Sequence, residues 1–217
     1  MESSPETNLK GFSIAFGTTE FLGALAVVMM TVWVGHYRGG YSWSSLEPDL
    51  EFNWHPVLMT VSMIFLYGNS MMVYRAFRNN RKRRLKLVHM SINLLAFIIA
   101  VVALQAAFDS HNNKKIPNIY SLHSWLGLCA VIIFAAQWVF GFVAFWFPEL
   151  NASIRSAMMP VHVFFGLLAF VLSVATALIG LTEKAIFVRL INATQYTVKI
   201  QSKDIQPQCD PNISSQN

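Results

Sequence analysis

The sequence predicts an all-α integral membrane protein with five transmembrane helices, and three observations predict it. Of its 217 residues 54% are hydrophobic and only 12% charged, where a soluble domain carries about 25% charged residues. Five apolar windows, at 12–34, 53–74, 85–108, 121–147 and 158–182, are each as long as the roughly 20 residues that span a hydrocarbon core. The cations are also gathered rather than spread. Arg75, Arg78, Arg81, Lys82, Arg83, Arg84 and Lys86 supply seven of the sixteen in one stretch free of acids. This composition excludes a disordered chain, a nucleic-acid-binding protein and an ordinary cytosolic enzyme. The net charge of +5 reads as a topology signal instead.

The elements follow in order. The first window is a spanning helix and not a cleaved leader: Glu2 and Glu6 precede it with only Lys10 opposing, and the apolar run exceeds a signal-peptide core. Turn residues separate the windows, at Arg38-Gly39-Gly40, Asn79-Asn80, Asn112-Asn113 and Pro148. The basic loop 75–86 belongs in the cytosol. Residues 1–11 are then a cytosolic N-terminus, and the polar tail 188–217 lies on the far side. The sequons at Asn192 and Asn212 fall in that far compartment, and the one at Asn151 falls in a cytosolic loop. Cys129 and Cys209 make no disulfide framework and no motif for covalent haem attachment.

Helices two to five carry one histidine each: His55, His89, His123 and His162, at intervals of 34, 34 and 39 residues. Each interval is one crossing plus one loop, so successive histidines alternate between the two membrane faces. An antiparallel bundle therefore pairs His55 with His123 near the far face, and His89 with His162 near the cytosolic face. An ionisable side chain within a membrane is rare and marks function by default. A lone histidine there is an interfacial hydrogen-bonding residue; four, paired by depth, are a mount for six-coordinate haem iron within a four-helix core. Two histidines per level leave zinc short of ligands. A proton relay needs buried acids, and Glu20 on helix one is the sole acid within a window. Two such haems make a one-electron conduit across a bilayer. The rival class is a histidine-lined metal or proton transporter, which would be colourless.

Glycines repeat with the histidines. Helix four has Gly127 and Gly141 at +4 and +18 from His123, and helix five has Gly166 and Gly180 at the same offsets from His162. Both offsets return to the histidine face. Two readings stand: clearance for a porphyrin at the near and opposite levels, or close approach of helix backbones. At the cytosolic mouth Lys82 and Lys86 precede His89 by seven and three residues, and Arg155 precedes His162 by seven. With Arg75 they suit an anionic donor and haem propionates, or lipid headgroups. At the far mouth His111, Asn118 and Tyr120 precede His123, as a site for a small acceptor or metal ion or as a hydrated loop, with Asn118 and Tyr120 counted among the cofactor-binding candidates.

The strings FNWHP (52–56), VYRAFR (73–78), YSLHSW (120–125) and PVHVFFG (160–166) resemble the cytochrome b561 family of ascorbate-dependent transmembrane electron carriers, over roughly residues 12–187. The resemblance implies two non-covalent haem b groups with the pairings above, and cytosolic ascorbate as donor, contacted by Lys82, Lys86 and Arg155. It implies monodehydroascorbate or ferric iron as acceptor near His111, a role for Arg75 within its motif, and a homodimer. The membrane is implied to be that of a secretory vesicle, lysosome or endosome, or the plasma membrane. Family members have a sixth helix where this sequence has the tail 188–217. The expectation is a five-helix member, a splice form or an incomplete gene model, with an inactive partner of full-length members as a further alternative.

Overall fold

The computed structural model describes residues 5–204. They fall into two compact units that divide between Ala177 and Leu178. The elements are α1 (Pro5–Val32) with a π-helical turn (Trp33–Tyr37), α2 (Pro48–Phe52), α3 (Trp54–Met59) running through a π-helical stretch (Thr60–Leu66) into α4 (Tyr67–Ala76), α5 (Lys82–Lys114), α6 (Leu122–Phe145) and α7 (Ala152–Asp204). Among the described residues five helices are long and apolar enough to cross a membrane: Gly11–Tyr37, Pro48–Ala76, Lys82–Lys114, Leu122–Phe145 and Ala152–Tyr196. Among the described residues there is no strand. The protein is an all-α integral membrane protein.

Four of the five helices outrun their sequence windows, because backbone hydrogen bonding continues through polar residues until something caps it. α5 starts at Lys82, after an extended Arg81, and ends where Lys115 turns left-handed at φ 57°. Ser121 Oγ accepts the Ser124 N–H at 3.3 Å to open α6, and Asn151 Oδ1 accepts the Ile154 N–H at 3.1 Å to open α7. The sequence reading closes the fifth window at 182 and treats 188–217 as a tail, whereas α7 continues to Asp204. No Gly or Pro interrupts residues 183–204, so nothing local stops the helix. Asn192 therefore sits in a helix; Cys209 and Asn212 lie outside the described residues.

The second span is built in pieces, and Pro56 accounts for the first break. Without an N–H it cannot bond the Phe52 carbonyl. α2 accordingly stops at Phe52, and α3 restarts at Trp54 with Pro56 in its first turn, where proline is tolerated. His55 thus stands at the mouth of the span. The π-helical stretch that follows has no signature in the residue pattern.

Packing is that of a protein in lipid. Ala96, Ala100, Ala103 and Ala106 are fully buried on one face of α5, while Leu95, Ile98, Val101 and Val102 face outward. Small residues let helices approach, and the bilayer supplies contacts to the large ones. The centre of the bundle holds Met63, Tyr67, Val131, Phe134 and Ala169. Tyr67 packs edge-on against Phe134 at 4.5 Å and Phe170 at 5.7 Å, and its hydroxyl donates to the Gly166 carbonyl at 2.6 Å. Trp138 Nε1 donates to the Met90 carbonyl at 3.1 Å, joining α6 to α5. Glu20 on α1 is half-buried, and its Oε1 has no hydrogen-bond partner among the described residues.

Candidate functional site: two facing imidazole pairs

The four spacing-selected histidines meet in the pairs that the antiparallel argument requires. The His55 and His123 ring centroids are 6.1 Å apart at 82°, and those of His89 and His162 are 6.3 Å apart at 69°. Three of the four rings are tied by Nδ1 to a main-chain carbonyl: His55 to Ala103 at 3.0 Å, His123 to Thr176 at 2.8 Å and His89 to Ser70 at 2.8 Å. A carbonyl oxygen only accepts, so in these rings Nδ1 carries the proton and Nε2 holds a lone pair. That is how metal-ligating histidines are oriented.

The residues fit a haem. A metal–imidazole bond of about 2.0–2.1 Å, plus roughly 1.1 Å from nitrogen to ring centre, puts the centroids of two opposed imidazoles about 6.3 Å apart. The observed separations match at both levels. Among the described residues, no group of three or more His, Cys, Asp or Glu gathers as metal ligands. Each level therefore offers two imidazoles, which suits an iron whose macrocycle brings its own four nitrogens and leaves zinc two ligands short.

The His89/His162 level stands at the end of the bundle with the basic loop, and its surroundings include residues that sequence reasoning missed. Ser70 Oγ lies 2.8 Å from the Tyr67 carbonyl and 2.9 Å from Asn93 Oδ1. Asn93 Nδ2 donates to the His89 carbonyl at 2.8 Å and lies 3.3 Å from His89 Nε2. Both side chains are buried. The available signal was Asn93 at four residues past His89, a polar group on the histidine face of an apolar run. His162 packs against Phe145 at 5.6 Å and, among the described residues, has no hydrogen bond.

The glycines divide. A Cβ on Gly141 would lie 3.1 Å from His162 Cε1, so this glycine clears an imidazole at the opposite level from His123, its own helix's histidine. A Cβ on Gly127 would lie 3.1 Å from Thr176 Cγ2, the mark of a close helix approach. Gly166 has only the Tyr67 hydroxyl nearby, at 3.9 Å. Gly180 falls in the second compact unit.

Of the four cations expected at the basic end, the structure brings two together. Lys86 Nζ and Arg155 Nη1 both reach Glu149 Oε1, at 3.4 and 3.2 Å. Lys86 also donates to the Phe145 carbonyl at 3.0 Å, and Arg155 to the Leu150 carbonyl at 2.7 Å. Lys82 is exposed one turn before Lys86. The Arg75 guanidinium stands over the Phe12 ring of α1 at 5.1 Å.

At the opposite end His111 stacks on Phe52 at 6.0 Å and 11° and meets Tyr120 at 6.0 Å. Phe52 in turn lies 5.7 Å from His55, so an aromatic chain joins His111 to the His55/His123 pair. Sequence reasoning passed over Phe52, although it opens the FNWHP string. Asn118 Nδ2 donates to Asn112 Oδ1 at 2.8 Å. Asn113 Nδ2 donates to the buried Glu51 at 3.3 Å, and Lys114 pairs with Asp49.

Residues 54–188 match the model of the family described as eukaryotic cytochrome b561. The chain is 44% identical over 184 residues to the transmembrane ascorbate-dependent reductase CYB561 of Sus scrofa, covering 85% of this chain and 71% of that protein. It is 45% identical over 176 residues to the Homo sapiens protein of the same name, covering 81% and 68%. It is 46% identical over 180 residues to the plasma membrane ascorbate-dependent reductase CYBRD1 of Xenopus tropicalis, covering 82% and 63%. The matched segment holds all four paired histidines, and the chain belongs to the eukaryotic cytochrome b561 family, whose cofactor is b-type haem.

Proposed function

We propose that this protein is a transmembrane ascorbate-dependent reductase. It passes single electrons from cytosolic ascorbate to an acceptor across the membrane, monodehydroascorbate or ferric iron, and holds two non-covalent b haems. The observation that carries this reading is the two facing imidazole pairs, His55/His123 and His89/His162, with ring centroids 6.1 and 6.3 Å apart. Haem b, when bound at each level, supplies a one-electron couple. The chain's own residues supply the rest. His55 and His123 hold one haem and His89 and His162 the other. The Nδ1 bonds to Ala103, Thr176 and Ser70 fix ring orientation. Tyr67, Phe134 and Phe170 pack together in the apolar core of the bundle.

At the basic end Lys86 and Arg155 bind and orient the ascorbate anion, with Lys82 adding charge one turn away. Arg75 braces the same mouth through Phe12. At the other end His111 and Tyr120 receive the acceptor, with Phe52 between them and His55; Asn118 shapes that loop. Gly141 gives His162 its room. The N-terminus is cytosolic, following the basic loop. The protein acts as a homodimer in a secretory-vesicle, lysosomal or endosomal, or plasma membrane.

The test is a reduced-minus-oxidised spectrum of the detergent-purified protein with haem counted per chain. Two b haems, both reduced on adding ascorbate, are expected. A folded but colourless protein would overturn the reading in favour of a metal or proton transporter. Sealed vesicles loaded with ferric iron or monodehydroascorbate then identify the acceptor.

A further inference from the structure

We propose that Glu149 is a built-in counter-anion of the donor site: its carboxylate occupies the cation fork that ascorbate must take over, and so sets the affinity for the donor. The inference rests on the donor reading of Lys86 and Arg155. A single oxygen, Glu149 Oε1, receives Lys86 from α5 and Arg155 from α7, where an anionic oxygen of a ligand would be held. The carboxylate is delivered by the short loop between α6 and α7, with Glu149 at φ 65°, a left-handed conformation that L residues other than Asn, Asp and His rarely adopt.

The fork itself does not depend on this carboxylate. Lys86 is anchored by the Phe145 carbonyl and Arg155 by the Leu150 carbonyl, so both cations keep main-chain partners when the acid is gone. The pairs are partly exposed, at 34% and 33% for the cations and 44% for Glu149, and ion pairs this wet hold weakly. Glu149 is therefore displaceable, yet it cancels one of the two charges that attract an anion. Free affinity for ascorbate is traded for a site that stays paired when empty.

Stopped-flow reduction of the haem-loaded full chain in neutral, lipid-free detergent tests this. Glu149→Gln should lower the half-saturating ascorbate concentration roughly three- to tenfold at low ionic strength, with the limiting rate unchanged. The gain should fade toward 1 M salt, where the Debye length is about 3 Å. Glu149→Gly, which relieves the left-handed backbone, should show the same gain, and Glu47→Gln should show none. Calorimetric titration with ascorbate 2-phosphate, an anion that does not reduce haem, should tighten by a similar factor. Equal or weaker binding in both Glu149 variants would overturn the inference. If ascorbate fails to reduce the wild-type protein, the donor reading falls, and the calorimetric arm still decides the role of Glu149.

Discussion

The two imidazole levels look equivalent in spacing and differ in how their rings are held. At the His55/His123 level both rings donate to main-chain carbonyls, on α5 and α7. At the His89/His162 level His89 adds a buried side-chain network to its carbonyl bond, whereas His162, among the described residues, makes no hydrogen bond and packs against Phe145 with Gly141 beside it. A carbonyl acceptor survives almost any side-chain substitution; a network and a packing contact do not. The first level is thus fixed by the backbone and the second is tunable by residue identity. The mouths differ as well: an ion cluster around Glu149 at the basic end and an aromatic stack from His111 to His55 at the other.

Substitutions that remove a haem have the largest expected effect on this contrast. His162→Ala and His55→Ala should each abolish one haem and spare the other, read as about half the haem absorbance per chain. Gly141→Leu should act like His162→Ala, because even its Cβ would crowd His162 Cε1 at 3.1 Å. Retention of both haems in Gly141→Leu would break the claim that this level relies on packing.

A smaller effect is expected from Asn93→Leu. It strips Ser70 and the His89 carbonyl of their Asn93 partner and should shift the potential of one haem by on the order of 20–60 mV. Thr176→Val should leave the potential of the other haem in place, because His123 uses the Thr176 carbonyl. Redox titration with resolved components measures both, and equal shifts would erase the distinction between the levels. At the mouths, Lys86→Ala should raise the half-saturating ascorbate concentration about tenfold. Phe52→Leu should leave that value unchanged and slow electron delivery to the acceptor in sealed vesicles.

The smallest effects should come from the caps. Ser121 opens the helix that carries His123, and Asn151 opens the helix that carries His162. Replacing either by Ala should cost about 1 kcal/mol of stability in chemical denaturation, with haem content intact. Equal losses would show that the levels differ in ring support and not in the strength of their helices.

Much of the functional reading was legible in one dimension. Spanning length is a count of apolar residues, and the histidine intervals equal one crossing plus one loop, so the number of helices, the two depths and the pairings needed no coordinates. Lys86 and Arg155 could be placed at one mouth by the same counting. The sequence had no means of showing that Ser70 supports His89, that Phe52 bridges His111 to His55, or that Glu149 closes the Lys86–Arg155 fork. These partners lie as many as 63 residues apart, and they meet only because each helix has a particular rotation about its axis. In a soluble bundle the apolar stripe sets that rotation. Here lipid and core are equally apolar, so the stripe is blurred and hydrophobicity orients nothing. Small-residue contacts and buried hydrogen bonds between helices decide the rotation instead, and those exist only in the folded protein.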